Sequence, residues 1–290
     1  MKLVTYADQG VEKPGVWTDG GIVDLSSLAP TMLAIIQGGE GSLAAARKLA
    51  DSGAKTAVDT SKLLAPIPRT AKNVFCVGRN YVEHVQESAR FGGASGGPVK
   101  LPEVPQFFTK APTSINAPGA PVRLDPKLTK LLDYEVELAV IIGKGGRDIP
   151  KARAYEHVLG YTIANDITAR DLQRRHEQWF KGKSLDTTCP LGPWIVTADE
   201  IGDPTTLELS LTVNGEARQR ATADMMIFDI PTIIEFLSAG LTLEAGDIIA
   251  TGTPSGVGYA MSPPVGLKGG DVVVARIDRI GELVSPIEEV

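Results

Sequence analysis

Along this chain apolar positions alternate with polar ones, or run together, in stretches that are mostly of strand length. Lys2-Leu3-Val4-Thr5-Tyr6, Gly15-Val16-Trp17 and Gly21-Ile22-Val23-Asp24-Leu25 read as a small meander separated by turn residues. Two amphipathic helices are expected next, over about 30–37 and 42–51, the second rich in alanine and stopped by Gly53. Ala65-Pro66-Ile67-Pro68-Arg69 reads as a linker, which makes residues 1–68 a candidate small N-terminal α/β domain and 69–290 the main domain.

Beyond the linker, strands are expected at 73–78, 106–110 and 158–165, with helices few and scattered, so the main domain is β-rich and of the α+β class. A helix is expected near 151–157 and another from Asp166 to about Trp179. The pattern breaks most informatively in Asp133-Tyr134-Glu135-Val136-Glu137-Leu138-Ala139-Val140-Ile141-Ile142-Gly143. Side chains alternate along a strand, so Glu135 and Glu137 share a side, roughly 6.5 Å apart at their α-carbons. That side continues as Ala139 and Ile141 and the other as Val140 and Ile142, so both faces look buried. Two buried carboxylates either take up a proton or find a cation, and a third acid nearby favours a divalent metal.

Composition narrows the setting. A net charge of −6 and no clustered Lys/Arg give no support to nucleic-acid binding. No apolar run approaches the ~18 to 20 residues that span a bilayer, and the N-terminus lacks a signal-peptide pattern, so the protein is read as cytoplasmic. Cys76 and Cys189 are too few for a metal knuckle and read as packed free thiols.

Other residues with chemical potential are spread along the main domain. His84 and Glu87 are three apart, so on a helical turn Glu87 orients the imidazole; a solvated helix face gives the same spacing. The glycine- and serine-rich run from Ser88 to Pro98 suits a lid or a plain loop. Asp166 is either a helix cap or a third metal carboxylate, and Arg170 and Gln173 follow it on one helix face. Lys183, in a glycine-containing loop, is either solvated or placed to neutralise an enolate. The turn Thr251-Gly252-Thr253-Pro254-Ser255-Gly256-Val257-Gly258 exposes N–H groups suited to a carboxylate or oxyanion. Gly143-Lys144-Gly145-Gly146 lacks the spacing of a dinucleotide loop.

In order, Gly78-Arg79-Asn80-Tyr81 with His84 and Glu87, Asp133 to Leu138, Asn165-Asp166 with Arg170-Asp171, Gly182-Lys183-Ser184, Pro190 to Trp194, Val213 to Glu216 and Thr251 to Gly258 resemble the fumarylacetoacetate hydrolase family over about residues 70–285. The resemblance implies a mixed β-roll core with a smaller N-terminal domain, a homodimer, and Mg²⁺ or Mn²⁺, in some members Ca²⁺. It makes Glu135, Glu137 and Asp166 the metal ligands, and His84, Glu87 and Lys183 the catalytic groups. Arg79, Tyr81, Arg170, Gln173 and Thr253 become substrate contacts. The activity it implies is hydrolysis of a C–C bond in an acylpyruvate-type 2-oxo acid through an enolate stabilised at the metal. Oxaloacetate decarboxylation, hydroxymuconate isomerisation and dehydration of 2-keto-3-deoxy sugar acids use the same site. Outside this family, a zinc peptidase ligated by His84 and Glu87 lacks a further supported histidine, and a binding protein without turnover leaves His84 and Lys183 without a role.

Overall fold

The structure is a computed structural model and describes residues 1–19, 21–57, 59–91 and 99–290. Its organising element is the strand Val136–Ile142, in which all seven residues are buried. Leu138, Val140 and Ile142 enter one core with Leu209, Leu211, Val273 and Ile277, while Ala139 and Ile141 enter another with Met32, Ile35 and Ile36. Burial on both faces explains the unbroken apolar run, since each fully buried aliphatic side chain stabilises by about 1.5–3 kcal/mol.

Among the described residues the strand lies inside a 12-stranded sheet, flanked antiparallel by Val158–Asn165 on one side and Ile248–Ala250 on the other. Ile248–Ala250 pairs parallel with Val74–Gly78, which pairs with the edge strand Gln106–Lys110. On the far side, Val158–Asn165 pairs with Cys189–Thr197. There the N-terminal hairpin Lys2–Asp8 and Val11–Thr18 joins the same sheet, with Lys2 opposite Val196. A second sheet of five strands, among them Glu208–Val213 and Val272–Ile277, covers the Leu138 face. This is the strand-rich mixture with few helices that the sequence predicts.

The N-terminal helices run Met32–Gln37, capped by the Thr31 hydroxyl on the Ala34 N–H, and Gly39–Ser52. Residues 151–157 form 3₁₀ turns after Pro150. The helix expected from Asp166 does not start there. Thr168–Ala169 instead pairs with Leu132–Asp133, and short helices follow at Arg170–Arg175 and Phe180–Lys183. The Asp166 carboxylate is engaged by lysines and its capping role is absent. Cys76 and Cys189 are buried and free, and burial pushes the Cys189 thiol up to about 12. No described helix is long and apolar enough to cross a membrane.

Candidate metal centre

The strand register assembles the acids. Val136 pairs with Asn165, so Glu135 and Asp166 lie just beyond the end of one ladder, joined by Asp166 N–H donating to Glu135 O at 2.8 Å. Glu135 occupies the break before the regular strand, where its N–H donates to the Asn165 side chain at 3.2 Å. Glu137 is one step further in. One carboxylate oxygen from each of Glu135, Glu137 and Asp166 lies within 4.8 Å of the others, and all three residues are buried. Among the described residues this is the one cluster of this kind.

Three buried cations answer these acids. Lys183 Nζ donates to Glu135 Oε2 and Asp166 Oδ2, both at 2.7 Å. Lys110 Nζ donates to Asp166 Oδ1 at 2.7 Å, to the Ile167 carbonyl at 3.1 Å and to the Lys183 carbonyl. Arg170 donates to Glu135 Oε1 at 2.6 Å, to Asp133 Oδ2 at 2.9 Å and to Gln173 Oε1 at 3.2 Å. With Asp133 included, four buried carboxylates face three buried cations, an excess of one negative charge.

That excess falls on Glu137. Its carboxylate accepts from the Gly252 N–H, which donates to Oε2 at 2.8 Å. Burial, and then the charges of Asp166 and Glu135, push the Glu137 carboxyl well above the usual carboxylate range. Burial opposes ionisation of Glu135 too, but Lys183 and Arg170 outweigh it and hold that carboxyl low. For Lys183, burial is outweighed by Asp166 and Glu135, which raise its pKa. A buried, all-oxygen donor set with excess negative charge fits a hard divalent cation such as Mg²⁺, Mn²⁺ or Ca²⁺.

His84 and Glu87 lie on the helix Val82–Phe91. Glu87 Oε1 is 2.8 Å from His84 Nδ1, and the Gly256 N–H fixes Glu87 Oε2 at 2.9 Å. With Nδ1 so engaged, Nε2 is the ring nitrogen left for a ligand. His84 shares a cavity of about 310 Å³ with Glu135, Glu137 and Lys183, and Arg79, Arg170, Gln173 and Thr253 also line it. Tyr81 is not in that wall: it is buried, its hydroxyl without a hydrogen-bond partner among the described residues. Ser88 ends up on the His84 helix, while 92–98, most of the expected lid, lies outside the described residues.

The turn after Thr251 does bind carboxylates through N–H groups, but they are the protein's own. Gly252 holds Glu137, Gly256 holds Glu87, and Gly258 and Tyr259 hold Asp133 at 2.8 and 3.1 Å. These four N–H groups are therefore engaged within the protein, those of Gly252, Gly256 and Gly258 in the turn and that of Tyr259 just after it. The Thr253 hydroxyl accepts from Gln219 at 2.8 Å and donates to the Val136 carbonyl at 2.9 Å.

Lys110, Asp133 and Gln219 are site residues that the sequence reading did not single out. For Lys110 the sequence offers only its place on a strand. On the strand Gln106–Lys110 it shares a face with Phe108, and the Phe108 ring lies 5.0 Å from Lys183 Nζ.

Buried and all-oxygen, the triad is a donor set that could hold a divalent metal, of the kind found in carboxylate-ligated divalent-metal enzymes. The chain belongs to the fumarylacetoacetate hydrolase family: residues 73–288 match the profile of the fumarylacetoacetate (FAA) hydrolase C-terminal domain. It is 47% identical over 275 residues to an oxaloacetate tautomerase of Bacillus subtilis, covering 92% of this chain and 89% of that one. The structure superposes on a fumarylacetoacetate hydrolase from Exiguobacterium antarcticum with a TM-score of 0.81 at 40% identity, covering 100% of both chains. It also matches maleylpyruvate hydrolase from Sphingobium, solved with manganese(II) and pyruvate, with a TM-score of 0.80 at 29% identity, over 100% of this chain and 99% of that one.

Proposed function

We propose that this protein is a divalent-metal-dependent tautomerase that interconverts the enol and keto forms of a small 2-oxo dicarboxylic acid of the oxaloacetate type. The observation that carries the reading is His84, oriented by Glu87 through Nδ1, in the same cavity of about 310 Å³ as the carboxylate triad and Lys183. Tautomerisation needs one proton moved between the enol oxygen and C3, and a fixed imidazole beside a polarised 2-oxo group is suited to it.

Glu135, Glu137 and Asp166 would hold the metal, which when bound supplies Lewis-acid polarisation of the 2-oxo group. Lys183 donates to the oxygen that carries negative charge as the C3 proton departs. His84 takes that proton from the keto form or returns it to the enol, and Glu87 keeps the ring in register. The identity to an oxaloacetate tautomerase supports this choice within the family.

A second reading is the C–C hydrolysis expected from the sequence, favoured by the likeness to a maleylpyruvate hydrolase. In it His84 deprotonates water instead of a carbon. Decay of enol-oxaloacetate absorbance decides between them, followed with Mg²⁺ or Mn²⁺, with chelator, and in His84→Ala. Acceleration that chelation and the mutation both remove is expected. Unaltered decay together with metal-dependent cleavage of maleylpyruvate or another acylpyruvate replaces the tautomerase with the hydrolase. We also propose a homodimer, to be checked by light scattering in solution.

A further inference from the structure

Arg79 lines the triad cavity, with Glu177 also in its wall, and the adjoining cleft walled by Lys100, Glu103 and Gln106. Its backbone has φ 57°, in the left-handed region that residues other than glycine seldom occupy. Both neighbours hold it there. Gly78 packs so closely on Trp179 that a Cβ would run into the indole. Asn80 is fully buried, donates to the Phe228 and Thr251 carbonyls at 3.0 and 2.8 Å, and accepts from the Phe228 N–H at 2.8 Å.

The side chain so projected has a stacking partner but, among the described residues, no carboxylate in ion-pair contact, Glu103 of the adjoining cleft being paired with Lys100. Its guanidinium carbon is 5.9 Å from the Trp179 ring centroid, and no ion pair to Arg79 forms among the described residues. Arg170, which also lines the cavity, is neutralised by Asp133 and Glu135, and Arg174 in the same wall is engaged over the Tyr259 ring at 4.8 Å. A cation fixed by a strained backbone in the wall of an active cavity, with its charge unanswered, points to an anionic ligand group. The 1-carboxylate and 2-oxo group of the substrate belong near the triad, which leaves the distal carboxylate for Arg79.

We propose that Arg79 reads the distal carboxylate, making the site selective for C4 dicarboxylates over neutral-tailed acids of the same size. This rests on the reading of a metal-held 2-oxo acid given above, and it names the group that sets substrate class.

The test uses ligands that do not enolise. Malate and β-malamate share the 2-hydroxy acid head, and β-malamate carries a neutral amide where malate has its distal carboxylate. Calorimetry with Mn²⁺-loaded protein is expected to show malate binding more tightly. In Arg79→Asn, which keeps a residue that accepts the left-handed conformation, malate affinity should fall about 10- to 100-fold. The β-malamate affinity should not change, and Arg79→Lys should recover part of the loss. Lys100, exposed and paired with Glu103, supplies a control, since Lys100→Gln should leave malate affinity unchanged. Equal affinities in the parent, no binding of either acid, equal weakening of both by Arg79→Asn, or the same loss in Lys100→Gln would each overturn the assignment. If the enol assay is silent while malate discrimination persists and depends on Arg79, the tautomerase reading fails and the role of Arg79 stands.

Discussion

Lys183 Nζ stands 2.7 Å from Glu135 Oε2 and 2.7 Å from Asp166 Oδ2, so one ammonium bridges two of the three candidate metal ligands. It neutralises the acids and also competes with a cation for them. Both effects follow from its burial with them, because at low local dielectric a neighbouring charge acts strongly.

Lys183→Met therefore separates binding from turnover. Removing the competing ammonium is expected to tighten Mn²⁺ binding, while kcat falls about 10²- to 10³-fold through loss of the donor to the developing oxyanion. Mn²⁺ titration calorimetry alongside initial rates checks both. Weaker metal binding with kcat intact would place Lys183 in the metal site only.

The raised pKa of Glu137 carries a definite sign. A carboxyl whose folded-state pKa is above its unfolded value contributes stability that is present at low pH and lost as pH rises through the folded value. Metal-free protein should therefore lose this contribution as pH climbs above the ordinary carboxylate range. Mg²⁺ or Mn²⁺, which needs the ionised form, should stabilise more strongly as pH rises. Melting temperatures with chelator and with metal across pH test this. In Glu137→Gln the metal-dependent stabilisation should disappear, and its persistence would remove Glu137 from the ligand set.

His84→Ala should keep Mn²⁺ affinity and lose about 10²- to 10⁴-fold in kcat, the range of a general base. Glu87→Gln should lose less, because the ring remains in place without its charged partner. Parallel metal titrations and rates read the difference. Loss of metal affinity in His84→Ala would instead revive the imidazole as a ligand.

Lys110 joins Asp166 to the main chain at Ile167 and Lys183 and is fully buried. Lys110→Met leaves a buried Asp166 oxygen and the Ile167 carbonyl without their donor and leaves the Lys183 carbonyl only the long bond from Thr188. Breaking a buried pair in this way costs about 3–5 kcal/mol, to be read as a shift in the denaturant midpoint. A variant as stable as the parent would show that Asp166 finds another partner.

What could be read from the sequence and what could not divide along physical lines. Glu135 and Glu137 stood out because they interrupt a run buried on both faces, a property local to eleven residues. The Lys110 pairing spans 56 positions to Asp166, and no local period reports a contact at that separation. The helix expected at Asp166 begins at Arg170 because Thr168–Ala169 pairs with Leu132–Asp133, a tertiary contact that overrides local preference. The 251–258 turn was legible as a carboxylate-binding backbone, but not that Glu137, Glu87 and Asp133 are its ligands. Tautomerase and hydrolase differ in whether one imidazole moves a proton on carbon or on water, which the motifs do not encode.

Gly256 connects that turn to the His84–Glu87 pair and gives the last prediction. Its φ is 104°, and a Cβ there would run into the Arg218 carbonyl oxygen. Its N–H holds Glu87 Oε2 at 2.9 Å, and its carbonyl accepts from the Tyr134 hydroxyl at 3.1 Å. Gly256→Ala cannot keep both the backbone conformation and the neighbour, so the turn must shift, at about 1–3 kcal/mol. Glu87 then loses its anchor while Gly252, four residues earlier, keeps Glu137. The expected result is a lower melting temperature, a fall in kcat and nearly unchanged Mn²⁺ affinity. Equal loss of metal affinity and kcat would mean that the turn moves as one piece and that the two halves of the site are not separable.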